Sequence, residues 1–131
     1  VPIYRILIVD DDEDARVLLM RALSKSTLGL EVATAADGHQ ALEAVARHRP
    51  DAVITDIMMP RMNGFDFCAA LRANPATADI PVIIVTALEE ESDRRRGQAV
   101  GADEYLTKPF SWTTLTERLT ELLAGSQRAA S

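Results

Sequence analysis

Ile6-Leu7-Ile8-Val9-Asp10-Asp11-Asp12 is the stretch from which the fold can be read. Four consecutive apolar residues with no polar alternation suit a strand covered on both faces, as in a parallel sheet. The carboxylates that follow at once place an acidic cluster at the strand's carboxyl end. Two further runs repeat the arrangement: Ala52-Val53-Ile54, with Asp56 just beyond, and Val82-Ile83-Ile84-Val85, with Thr86 next. Leu30 to Thr34 and Glu104 to Thr107 are weaker strand candidates, and Lys108-Pro109 closes the second of these.

Between the runs the spacing turns helical. Ala15, Leu18, Leu19, Ala22 and Leu23 are expected on one face, with Arg16 and Arg21 elsewhere around the helix. Ala41, Leu42, Val45 and Ala46 repeat the pattern. So do Phe65, Cys68, Ala69 and Leu71, and again Leu115, Leu119, Leu122 and Leu123. Glu89 to Val100 is expected to be helical with a narrow buried stripe, because EEESDRRR is so polar. Asp37-Gly38, Asn63-Gly64 and Asn74-Pro75 mark the changes of structure. Strand and helix alternate five times, which predicts right-handed crossovers and a doubly wound five-stranded parallel α/β sheet.

Length and charge narrow the function. At 131 residues the chain fits one domain, and folding at that size buries roughly two-thirds of the unfolded surface. Acidic residues number 20 against 14 basic, a net charge of −6. Non-specific nucleic-acid binding needs the opposite balance. The single Cys68 can close no internal disulfide, so a reducing, cytoplasmic setting is expected. No apolar run approaches the roughly 20 residues of a membrane helix, and no signal peptide is visible. The sequence starts at Val1 rather than Met and reads as a fragment of something longer. Residues 1–124 are taken as the domain, and 125–131, small, polar and without periodicity, as a tail or linker start.

In an open parallel sheet, ligands bind beyond the carboxyl ends of the strands. Those ends carry Asp10, Asp11 and Asp12, then Asp56, then Thr86, then Lys108: carboxylates, a hydroxyl and an ammonium at one rim. Two carboxylates about 4 Å apart repel by roughly 4 kcal/mol at an effective dielectric near 20. A divalent cation would relieve that, and hard oxygen ligands favour Mg²⁺ over zinc. Metal, ammonium and hydroxyl together suit a phosphoryl group, with a free carboxylate as nucleophile.

The strings ILIVDDDEDAR, VITDIMMPRMNGFDF, IPVIIVTA and GADEYLTKPF, in this order and separation, resemble the receiver domain of bacterial two-component response regulators. The likeness extends from about Ile6 to Leu123. It implies a flavodoxin-like (βα)5 fold with strand order 2-1-3-4-5. It implies Asp56 as the phospho-acceptor, Asp11 and, through water, Asp10 as holders of Mg²⁺, and the Met58 carbonyl as a further ligand. Thr86 would bond the phosphoryl group and Lys108 pair with it, while Tyr105 occupies the aromatic switch position. A cis bond at Lys108-Pro109 is also implied. Met58 and Leu88, bulky at positions that in the family influence dephosphorylation, imply slow self-hydrolysis. Implied partners are a histidine kinase or phosphotransfer protein and an output domain or downstream protein, with dimerisation on phosphorylation left open.

Blander readings stand beside these. Asp11 or Asp12 would serve equally as a helix cap, and Tyr105 as a half-buried tyrosine without a switch role. Cys68 fits core packing, and His39 and His48 the surface. Arg94-Arg95-Arg96 reads as a solvated face balancing Glu89 to Glu91, and Trp112 as exposed near the start of the last helix. Two other functions remain open. One is a haloacid-dehalogenase-like phosphatase using Asp10-x-Asp12, which would leave Asp56 unemployed. The other is a receiver-like interaction module that works without phosphorylation. Neither GxGxxG nor a P-loop occurs, which argues against a nucleotide cofactor.

Overall fold

The apolar runs pair side by side in the computed structural model, which describes residues 3–130. Strands β1 (Ile3–Val9), β2 (Gly29–Ala35), β3 (Ala52–Thr55), β4 (Val82–Thr86) and β5 (Glu104–Thr107) form one sheet. All pairings are parallel, in the order β2-β1-β3-β4-β5. The expected topology is therefore observed, with β3 at the centre and the acid-bearing β1 and β3 adjacent. The helices between the strands are α1 (Glu13–Ser24), α2 (Gly38–Arg47), α3 (Gly64–Ala73), α4 (Glu91–Ala99) and α5 (Trp112–Ala130).

Strand periodicity divides the core into two layers. Alternate residues of a strand point to opposite faces, so Ile6 and Ile8 meet Leu19 and Leu23 of α1 and Leu115, Leu119 and Leu123 of α5. Leu7 and Val9 face the other way, onto Ala41 and Val45 of α2 and Phe65, Phe67, Cys68 and Leu71 of α3. The runs Ile6 to Val9, Ala52 to Ile54 and Val82 to Val85 are buried on both faces, as their lack of polar alternation required, whereas the edge strands β2 and β5 are only partly covered.

The helix boundaries come from the punctuating residues. Asp37 caps α2 by accepting from the Gln40 amide, and Asn63 caps α3 by accepting from Asp66. In each pair, glycine is the first helical residue. Asn74 ends α3 and Pro75 follows it. Asp12 caps α1 by accepting from the Asp14 amide at 3.0 Å.

Several expected faces shift. Leu18 lies 55% exposed, because the buried stripe of α1 centres on Leu19 and Leu23, and a neighbour in sequence sits about 100° away. Ala46 and Ala69 are likewise exposed, whereas Phe67, absent from the expected stripe, is fully buried. α5 runs through Ala130, over most of the stretch read as a tail or linker start. Once Leu115, Leu119 and Leu123 anchor the helix, adding residues such as alanine costs little. Ser131, the last residue of the expected tail, lies outside the described residues.

The arginine run is not simply solvated. Arg95 pairs with Glu91 on the surface at 3.6 Å. Arg96 stacks over the Phe65 ring at 4.4 Å, and Arg94 over Tyr105 at 5.2 Å. Since Gly97 is the buried residue of α4, this helix is docked largely by arginine–aromatic contacts. His39 and His48 are exposed, Trp112 is 43% exposed against Phe110, and Cys68 is buried in the core. Burial raises the Cys68 thiol above its ordinary pKa. Among the described residues, no helix is long and apolar enough to cross a membrane.

Candidate functional site

The site begins where β1 and β3 end. The Asp10 amide continues the ladder by donating to the Ala35 carbonyl at 3.1 Å, and the Asp56 amide donates to Val9 at 2.9 Å. Both aspartates are thus set by the last bonds of the sheet. Asp10 is 2% exposed. Its Oδ1 accepts from the Asp12 amide at 2.9 Å, and Arg16 holds its carbonyl at 2.7 Å. Asp56 Oδ1 accepts from the amides of Ile57 at 2.6 Å and Met58 at 3.3 Å. These bonds leave Asp56 Oδ2 facing the Lys108 ammonium.

Lys108 joins the two acids. Its Nζ lies 3.4 Å from Asp10 Oδ2 and 3.3 Å from Asp56 Oδ2. Lys108 precedes a cis peptide bond to Pro109, and its amide donates to the Thr86 carbonyl at 2.7 Å. Thr86 is fully buried at the end of β4, and its hydroxyl accepts from the Leu88 amide at 3.4 Å. Asp11 lies exposed at the lip, outside the lysine-bridged pair, and the Met58 side chain is 59% exposed. Tyr105 is half-buried, and its hydroxyl donates to the Leu88 carbonyl at 2.7 Å.

Charge makes this rim unusual. Burial pushes the Asp10 carboxyl above its ordinary 3.8; the Asp12 amide and Lys108 pull it down, and Asp56 pushes it up again. Burial alone would lower the Lys108 ammonium, but Asp56 and Asp10 outweigh it and hold the pKa above 10.5. Two carboxylates therefore share one ammonium, leaving an uncompensated negative charge.

Because the folded pKa of Asp10 is raised, its contribution to stability is complete below pH 3.8 and is lost as pH rises through the raised value. Asp10→Asn keeps an acceptor for Asp12 and removes the buried charge. It is expected to raise stability at neutral pH by about 1–2 kcal/mol. The gain should vanish in acid, where Asp10 is protonated whether folded or not. Urea titrations at several pH values measure this, and a constant difference across the range would contradict it.

Among the described residues, no three Asp, Glu, His or Cys side chains close into a cage for a metal. Mg²⁺ does not need one, because it keeps several waters and binds through one or two carboxylates. The excess negative charge and all-oxygen donors fit that ion. Sequence reasoning missed Arg16, which secures the loop carrying the acids, and Arg94, which bonds Thr107. Only the register of the packed helices could reveal either.

Residues 6–120 match the response regulator receiver domain. The chain is 46% identical over 119 residues to response regulator MprA of Mycobacterium leprae, covering 91% of this chain and 50% of that protein. MprA of Mycobacterium avium is 44% identical over the same span. The chain spans about half the length of these relatives. Among solved structures, the receiver domain of a signal transduction histidine kinase from Syntrophus aciditrophicus superposes with a TM-score of 0.86 at 32% identity, covering 93% of this chain and 91% of that one. Chemotaxis response regulator CheY4 of Vibrio cholerae gives 0.83 at 35% identity, covering 92% and 99%. Sheet order, a lysine bridging acids from two strand ends, and these likenesses agree: the chain belongs to the receiver domains of two-component response regulators.

Proposed function

We propose that Asp56 is the phospho-acceptor of this receiver domain, and that a histidine kinase or phosphotransfer protein supplies the phosphoryl group from its imidazole. The supporting observation is the lysine bridge. Asp56 lies at a strand end with one oxygen fixed by two backbone amides and the other turned to Lys108. An Asp56 carboxylate oxygen attacks phosphorus, the bond from phosphorus to the imidazole nitrogen breaks, and the leaving imidazole takes a proton from solvent. Asp10, Asp11, Asp56 and the Met58 carbonyl would hold Mg²⁺, which supplies neutralisation of charge on the transferring oxygens. Lys108 moves from its carboxylate partners to the new group, and Thr86 turns its hydroxyl from Leu88 to donate to it.

The product adds about −1.5 to −2 charge where one ammonium already serves two carboxylates. The rim must therefore rearrange, and the surface of α4, β5 and α5 re-equilibrates with it. That surface is proposed to act on an output domain or downstream protein. The phosphatase reading gains no support, since the Asp12 carboxylate it would employ caps α1.

Incubation with Mg²⁺ and acetyl phosphate, followed by intact mass, tests the proposal. One phosphoryl group per chain is expected, and chelation of Mg²⁺ should slow its uptake by at least about 100-fold. An unmodified wild-type chain would overturn the proposal and favour an interaction module that works without phosphorylation. Uptake unaffected by chelation would remove the metal from it.

A further inference from the structure

α4 is polar, and its buried residue is a glycine, so specific contacts rather than an apolar face must hold it. Arg94 makes several of them. Its Nη2 donates to Thr107 Oγ1 at 2.7 Å and its Nη1 to the Tyr105 carbonyl at 3.4 Å, while the guanidinium lies over the Tyr105 ring. The same ring lies against Gly97, where an added methyl would come 2.9 Å from the ring Cδ2. The Tyr105 hydroxyl then ties the β4–α4 connection through Leu88.

Thr107 is the key position. It lies in register opposite Thr86 on β4 and immediately precedes Lys108, whose amide bonds the Thr86 carbonyl. Arg94 thus grips β5 at the residue paired with Thr86 and next to Lys108, the two residues proposed to meet the phosphoryl group. We propose that Arg94 is a positioning residue of the switch, fastening α4 and Tyr105 to the strand residue opposite Thr86 so that the seating of α4 follows events at Asp56. This rests on the reading of Asp56 as acceptor. The contact is directional and short, so a small displacement of β5 at Thr107 breaks it and leaves α4 held by the Arg96–Phe65 stack and the close approach of Gly97 to Tyr105.

Amide hydrogen exchange over residues 91–99, measured on the full chain with and without acetyl phosphate and Mg²⁺, tests the coupling, with intact mass recording modification in every sample. In the wild type, phosphorylation should change α4 exchange by about fivefold or more. Arg94→Ala and Thr107→Val should each shrink that response to within about twofold, and the double variant should shrink it no further. Thr107→Ser keeps the acceptor oxygen and should retain the wild-type response, which a merely structural role for the side chain would not predict. A full response in modified Arg94→Ala or Thr107→Val would overturn the coupling while leaving Asp56 as acceptor. An unmodified wild-type chain would overturn the reading of Asp56, and the coupling with it.

Discussion

Asp56→Asn should take up no phosphoryl group from acetyl phosphate, with the rate falling by at least about 10³-fold. The amide retains an oxygen able to accept from Ile57 and Met58, so the loop after β3 keeps its shape. What disappears is the anionic oxygen facing Lys108, and an amide forms no acyl phosphate under these conditions. Lys108 retains Asp10 as its partner, so the variant should remain folded. Removing one of two mutually repelling carboxylates should even leave it slightly more stable. Intact mass and a thermal melt on the same sample separate lost chemistry from lost structure. Labelling of a folded Asp56→Asn chain at the wild-type rate would move the acceptor elsewhere, with Asp11, exposed at the lip, the first to test.

Gly64→Ala should destabilise the protein by about 3 kcal/mol and impair phosphorylation as well. An added methyl would collide with the Asp56 carbonyl oxygen and come 2.8 Å from the Ile57 Cα. Both obstacles are backbone, so no rotamer change relieves them. The Gly64 amide also donates to the Ile57 carbonyl at 2.9 Å, holding the start of α3 against the loop after β3. Either α3 backs away or the Asp56–Ile57 peptide turns, and the second course re-aims the Asp56 carboxylate, the proposed acceptor. At about 4 °C per kcal/mol, Tm should fall by roughly 10 °C. Gly125→Ala is the contrast: a methyl there meets nothing within 4 Å. Replacing a helical glycine on α5 should stabilise by about 0.5–1 kcal/mol. Equal and small effects at both positions would show that close approach at Gly64 carries no constraint.

Much of this fold was legible in order along the chain. Short runs such as Ile6 to Val9 and Val82 to Val85 can be buried on both faces only as strands of a covered sheet, and their alternation with helical spacing dictates the crossovers. Asp37 and Asn63 announce helix starts through their own side chains, a purely local effect. Helix faces were read less well. Leu18 and Leu19 are equally apolar, and only the position of the sheet decides that one is exposed and the other buried. Arg94, Arg95 and Arg96 are alike in sequence, yet they meet β5, solvent-exposed Glu91 and the Phe65 ring respectively. Arg72 similarly gives no signal along the chain, but its guanidinium ties the carbonyls of Ala78, Ile80 and Gly101 to Asp103.

Strand identity, helix starts and the acids and lysine at strand ends were properties of the sequence alone, because each depends on residues within a few positions of one another. Convergence was not. Lys108 lies 98 positions from Asp10 and 52 from Asp56, and only the parallel sheet, running from β1 through β3 and β4 to β5, brings their charged atoms within 3.4 Å. Burial at that rim then shifts the proton affinities of Asp10 and Lys108, since desolvation and mutual charge exist only once the sheet has assembled.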